Sequence, residues 1–306
     1  MMSPLIIGLL AGAILSGTSL LYAALGETLV ERSGIVNLGL EGVLLIGAST
    51  GFAVTVATGN AWLGLLAAGA AGALVNLLLG WLVVRRRANQ LASGLAIMFF
   101  GFGVSALIGA PYVGAVIVGL PKWKPAWLAG LPAVQSTTLF NYDLLTWLAI
   151  PAALVVAWAL FRTRWGLGLR AVGESPAAAF AAGRNPAALQ YQALALGGVL
   201  GGLAGAHLSL SLTLTWAEYM TAGRGFIAIA LVIFSKWHPL RVIIGALLFG
   251  GAEALELALQ AQGSLISPFL LEMLPYLLTL LVLVASGGSR RLAAPASLGR
   301  TFYGSA

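Results

Sequence analysis

Apolar residues run along this chain in long blocks separated by short polar connections. Crossing the hydrocarbon core of a bilayer as a helix takes about 20 apolar residues. The blocks at 5–24, 35–57, 61–84, 91–110 and 144–161 have roughly that length. The second half offers 189–210, a segment around 226–234, 242–259 and 268–285. The seventh block, FIAIALVIF, is too short to span alone. Either 219–225 extends it as helix, or it is a broken or re-entrant element. The pattern predicts an all-α polytopic membrane bundle of about nine spans (eight to ten), forming one transmembrane domain over 1–306.

Composition agrees and narrows the class. Only 8% of the 306 residues are charged while 60% are hydrophobic, too little polar surface for a soluble fold and too much apolar for disorder. The 40 glycines come with 12 prolines and no Gly-X-Y period, so they are not collagenous. Zero cysteines exclude disulfides, thiolate metal sites and cysteine catalysis. The first residues lack the basic flank of a cleavable signal, so the first block reads as a retained span.

The basic residues give the orientation. With nine spans, 13 of the 16 Lys and Arg fall on one side, and only Lys122, Lys124 and Arg224 on the other. The positive-inside rule makes the first side cytoplasmic, with the N-terminus outside and the C-terminus, 287–306, as a cytoplasmic tail. The net charge of +7 is therefore spread along one membrane face, facing lipid headgroups rather than forming a nucleic-acid patch. The extracytoplasmic loop 111–143 carries Pro111, Pro121, Pro125 and Pro132 with Tyr112, Trp123 and Trp127. It reads as an interfacial anchor or a receiving surface for an external partner. In the cytoplasmic loop 162–188, Ser175 and Pro176 suit the N-cap and first position of a short helix through AAAFAA, and Gly183 suits its stop. That describes a docking helix or a solvated linker.

Membrane helices associate through small residues. Gly64, Ala68, Gly72, Asn76 and Gly80 step by four along the third span. Ala193, Gly197, Gly201, Gly205 and Ser209 do so along the sixth, and Ala246, Gly250, Ala254 and Ala258 along the eighth. Ionisable groups at membrane depth are costly and default to functional hypotheses. Asn37 and Glu41 lie four apart in SGIVNLGLEG, which places them on one helical face. Glu253 and Glu256, with Gln260, form a polar stripe in the eighth span. For Glu41 and Glu253 two readings stay open, a buried structural bridge or a position lining a polar pathway. Asn76 and His207 read as interhelical packing contacts. No P-loop, G-x-S-x-G, H-E-x-x-H or metal-ligating cluster appears, so no catalytic or metal residues are assigned.

Specific segments are recognisable beyond these patterns. ETLVERSGIVNLGLEGVLLIG, NQLASGLA, RAVGESPAAAFAAGRNP and GRGFIAIALVIFSKWHPL occur in that order along the chain. Together they resemble the permeases of ABC importers in the branched-chain amino acid and simple-sugar superfamily, most closely the nucleoside/simple-sugar branch. In SKWHPL the sequence departs from that pattern at the residue before Trp237 and at His238. The resemblance implies a transport subunit without its own ATPase site, in the inner membrane of a bacterium. It implies a second permease subunit (a paralogue or a second copy), cytoplasmic ATPases that hold ATP and Mg, and an extracytoplasmic substrate-binding protein. By the same resemblance Arg170, Gly173, Glu174, Ser175, Pro176, Ala178, Ala179 and Gly183 belong to the region that couples to the ATPases. Asn37, Glu41, Ser93 and Glu253 are the candidates for the substrate pathway, and Gly72, Gly197, Gly201, Gly205 and Gly250 for sliding helix contacts. No span offers a deep Lys or Arg, which favours an uncharged nucleoside or sugar over an amino acid. The competing class is a stand-alone secondary transporter or channel using Glu41 or Glu253.

Overall fold

The computed structural model describes residues 4–125, 140–262 and 294–300, with isolated positions at 267, 270, 273, 277, 280, 281 and 284. The expected span at 268–285 therefore lies almost wholly outside the described residues, as do Trp127 and Pro132. Seven of the described helices are long and apolar enough to cross a membrane. They are α1 (Pro4–Arg32), α2 (Leu40–Thr58), α3 (Ala61–Gly80), α4 (Gln90–Gly109), α5 (Leu144–Arg162), α8 (Pro186–His207) and α10 (Pro239–Ala261). Two short helices, α6 (Arg164–Glu174) and α7 (Pro176–Ala181), fill the connection before α8, and α9 (Arg224–Phe234) precedes α10. β1 (Lys122–Trp123) and β2 (Tyr142–Asp143) pair antiparallel beside the start of α5.

Side-chain caps set most of the helix starts. The Oδ1 atoms of Asn60, Asn89 and Asn185 accept from Trp62 N, Ala92 N and Ala188 N at 2.9, 3.0 and 3.1 Å. Asp143, Thr163 and Ser175 do the same for α5, α6 and α7. Each satisfies one of the donors that a helix N-terminus leaves open.

The second span starts later than the apolar pattern predicts. Residues 33–39 are not helical, so α2 begins at Leu40 and the premise that Asn37 and Glu41 share a helical face is wrong. Gly34 takes a left-handed φ of 90°, and Asn37 Oδ1 accepts from Gly39 N at 3.0 Å, closing a local turn that competes with helix. In compensation α1 runs on to Arg32, carrying Glu27 and Glu31 into the bundle, where both are buried.

Helix α8 is the hub, packing most extensively against α3, α1 and α2. Gly197 abuts Val30 and Gly26 of α1, while Gly201 and Gly205 abut Val43 and Leu44 of α2. A second stripe on α8, Gly198 and Gly202, meets Gly72 and Ala68 of α3. On the other side Gly250 of α10 lies against Ala13 and Gly17 of α1. Where a Cβ would strike partner backbone, as at Gly205 against Leu44 O, the helices approach more closely than any larger residue permits.

Segment 213–238 runs from one end of the bundle to the other without a continuous helix. Ile117 N donates to Leu214 O, and Gly109 lies against Trp216, which puts its start at the level where α4 ends. Its far end lies where α1 ends, since Arg32 Nε donates to Trp237 O at 3.1 Å. Between them 213–223 is irregular, with Leu214, Tyr219 and Ala222 at positive φ. The 11 residues of α9 rise only about 16 Å, half a bilayer. Residues 219–223 are turn rather than helix, so the broken alternative holds.

Candidate functional site

The head of α9 sits at mid-bundle, and Glu41 and Glu253 converge on it. Glu41 Oε1 accepts from Thr221 Oγ1 at 2.6 Å and Gly223 N at 2.8 Å, and its Oε2 from Gly225 N at 2.5 Å. Gly225 has room for this because it lacks a Cβ, which would meet the Glu41 backbone and carboxylate. The carboxylate thus neutralises the partial positive charge of the short helix's N-terminus from within the chain, an end that could otherwise attract an anionic ligand. Between these two glycines Arg224 turns the other way. Its Nη2 lies 2.7 Å from Glu253 Oε2, and its Nη1 donates to Ser16 O at 3.2 Å and Ser19 Oγ at 3.0 Å. Ser16 and Ser19 are midway along α1, which fixes the depth of the pair. Arg224 is therefore not an outer-loop residue, and the expectation that no Lys or Arg lies deep in the bundle is overturned. A window that scores hydropathy alone ends the span before an arginine whose partner it cannot see.

A second polar cluster lies between α1, α3 and the turn at 33–39. Asn37 Nδ2 donates to Glu27 Oε2 at 3.2 Å and to Asn76 Oδ1 at 3.4 Å, and Asn76 Nδ2 donates to Leu194 O at 3.1 Å. Glu31 accepts from Trp237 Nε1. Ser93 is buried one turn into α4, next to Gly94, where an added Cβ would lie 2.8 Å from Leu38 N. Asn37 and Ser93 thus flank one junction, while Glu41 and Glu253 share the other.

On the face where α1 ends, Ser175 Oγ caps α7, Gly183 closes it with a φ of 78°, and Ala179 is buried beneath it. Glu174, Ser175, Ala178 and Phe180 are exposed along this corner. Arg170 Nε donates to Leu160 O at 3.1 Å with its guanidinium 5.1 Å from the centre of the Phe161 ring. Gly173 leaves space for the Arg32 carbonyl, tying the end of α6 to the end of α1.

Residues 9–285 match the family described as branched-chain amino acid transport system / permease component. The chain belongs to this family. It is 37% identical to the putative glucose ABC transporter permease TsgC13 of Haloferax volcanii, over 95% of this chain and 96% of the relative. It is 35% identical to the guanosine ABC transporter permease NupQ of Bacillus subtilis (86% and 87% covered) and 33% to the nucleoside ABC transporter permease NupC of Lactococcus lactis (90% of each). No solved structure matches. The chain is a multi-pass permease subunit of an ABC importer, and ATP hydrolysis belongs to partner subunits.

The permease holds one further polar group that sequence reasoning left unassembled. Asp143 Oδ2 accepts from Ser211 Oγ at 2.5 Å and Thr146 Oγ1 at 2.9 Å, and Thr146 Oγ1 lies 3.1 Å from His207 Nε2. Burial alone would raise the Asp143 carboxyl, but the neighbouring His207, Ser211 and Thr146 together hold it below the usual carboxylate range. All four are buried, and they pin α5 to α8 at the end of the bundle opposite α7. Sequence reasoning also passed over Ser16, Ser19, Thr221, Glu27 and Glu31, and placed Arg224 on the outer side. The signal for Arg224 was present: it stands between Gly223 and Gly225 at the head of the block too short to span.

Proposed function

We propose that this subunit forms half of a translocation pathway for an uncharged, hydroxyl-rich cargo, a nucleoside or a simple sugar. Relatives named for glucose, guanosine and nucleosides align over most of their lengths, and this carries the substrate class. The head of α9 is compatible with it, because Glu41 and Arg224 already have partners within the chain and a charged cargo would have to displace one. Asn37, Glu41, Ser93 and Glu253 remain the proposed pathway residues, joined by Thr221 and Arg224. The subunit lies in the cytoplasmic membrane with its N-terminus outside and its C-terminus inside. It pairs with a second permease and receives cargo from an extracytoplasmic binding protein. Helix α7 docks on an ATPase, and closure of the ATPases rocks the glycine-packed helices about α8.

The test is reconstitution of the complete transporter with labelled guanosine, glucose and leucine. ATP-dependent uptake of a nucleoside or sugar, and not of leucine, is expected. Uptake of leucine alone would sink the substrate class. Gradient-driven flux by this chain without ATPases would sink the dependence on partners.

A further inference from the structure

The segment 294–300 does not trail from the bundle. It is wedged among the end of α6, the turn at 33–39 and the start of α4. Ser297 N and Ser297 Oγ both donate to Gly173 O, at 2.9 and 2.6 Å, and Ser297 Oγ also reaches Val172 O at 3.2 Å. Ala296 N donates to the Glu174 carboxylate at 3.3 Å. Three residues on, Gly299 N donates to Gly34 O at 3.2 Å, and Arg300 O accepts from Gln90 Nε2 at 3.3 Å. Gln90 Oε1 in turn accepts from Val36 N at 2.8 Å. Ser297 is only 6% exposed, and a Cβ on Gly34 would occupy the place of its hydroxyl.

These bonds join parts of the chain with different work. One end of the segment holds the last turn of α6, which leads through Ser175 into α7. The other end holds the turn carrying Asn37, which leads directly into Glu41. A connection that satisfies backbone groups on both sides transmits displacement between them, provided that it moves as one body with both.

We propose that residues 296–300 act as a strut, with Ser297 as its positioning residue, carrying movement of α6 and α7 to the turn at 33–39 and so to the head of α9. This rests on the reading of α7 as the ATPase-docking helix. Without the strut the ATPases still bind and hydrolyse ATP, but the bundle responds weakly.

The test uses the complete transporter in nanodiscs, with hydrogen exchange followed by mass spectrometry before and after trapping with ATP and vanadate. In the unaltered protein, trapping is expected to change exchange in both 170–182 and 33–39. Ser297→Ala should leave the change at 170–182 intact and reduce that at 33–39 by about two- to thirty-fold, the usual range for a residue within a coupling network. Ser297→Thr keeps the hydroxyl and should restore it. Removal of 294–306 should act as Ser297→Ala does, and gives a second readout if the point variant assembles poorly. An undiminished response of 33–39 in Ser297→Ala and the truncated protein would overturn the strut. So would loss of ATPase binding in both, which would make the segment a docking surface. If 170–182 does not respond even in the unaltered protein, the docking reading of α7 is what fails.

Discussion

Replacing Glu41 measures how much of the head of α9 depends on one carboxylate. In Glu41→Ala the amides of Gly223 and Gly225 lose their acceptor inside the bundle, whereas the Thr221 hydroxyl can rotate toward another. An unsatisfied buried donor costs about 1–3 kcal/mol, so two cost about 2–6 kcal/mol. Glu41→Gln keeps the oxygen that serves Thr221 and Gly223 but turns an amide toward Gly225 N, a donor facing a donor, at about 1–3 kcal/mol. The strain should be local, because 213–223 already includes three non-glycine residues at positive φ, held in part by this carboxylate. Thermal unfolding of the purified complex gives the total, and hydrogen exchange at 221–227 gives the location. Exchange should accelerate there in both variants, more in Glu41→Ala, with α3 and α5 unchanged. If both variants keep wild-type exchange at 221–227, Glu41 does not anchor α9. Loss of transport in Glu41→Gln without that acceleration would place its role in cargo contact.

Other substitutions probe the remaining contacts. Arg224→Ala and Glu253→Ala should each destabilise, and the double variant should be milder than their sum by about 1–3 kcal/mol, because each single change strands the other charge; strictly additive melting temperatures would contradict the pairing. Gly205→Ala drives a Cβ into Leu44 O and should cost about 1–3 kcal/mol, whereas Gly69→Ala, whose Cβ would find Val199 at 3.5 Å, should be nearly neutral; equal effects on thermal stability would refute the close-approach argument. The Asp143 carboxyl titrates below its ordinary range in the folded protein, so its contribution is present at neutral pH and lost as pH falls through the depressed value. Asp143→Asn should therefore be less stable near neutrality and flatten the acid side of a stability profile; an unchanged profile would remove that linkage. Ala178→Glu on the exposed face of α7 should weaken ATPase association without unfolding the permease, whereas charge at buried Ala179 tests folding instead; pull-down of the ATPase with intact Ala178→Glu decides it, and full retention would remove the docking face.

Much of the architecture was legible because membrane helices obey few rules. The long apolar blocks locate the helices, although the caps Asn60, Asn89 and Asn185 were not read from the sequence. Ser175, Pro176 and Gly183 bracket α7 as expected. The glycines of α8 could be read as a stripe, but not that a second one, Gly198 and Gly202, lies one residue on and meets α3. The failures share one cause, which is that a hydropathy window counts each polar group as if it faced lipid alone. The first block, ending at 24, therefore leaves out Glu27 and Glu31, although Asn37 and Trp237 meet them inside the bundle. Asn37 and Glu41 looked like one helical face because a four-residue spacing does not reveal the side-chain turn that breaks the helix between them.

The placement of Arg224 changes the argument about cargo. Absence of a deep cation was a reason to favour an uncharged substrate, and that reason is gone. What replaces it is saturation: Arg224 is bound to Glu253 and to the oxygens of Ser16 and Ser19, and the adjacent helix terminus is filled by Glu41. A site whose charges are already balanced binds a charged ligand only by breaking a pair and leaving the remaining member unpartnered. Sugars and nucleosides impose no such cost, since hydroxyls can join hydrogen bonds at Thr221, Ser19 or Glu253 without removing a charge from its partner. The prediction reverses if the pair is dismantled. A double Arg224→Met/Glu253→Met variant keeps the volume while removing both charges, so it should retain the fold and lose hydroxyl-dependent discrimination among cargoes. If that variant discriminates glucose and guanosine from their deoxy analogues as the wild type does, the head of α9 is scaffold, and cargo is read elsewhere in the transporter.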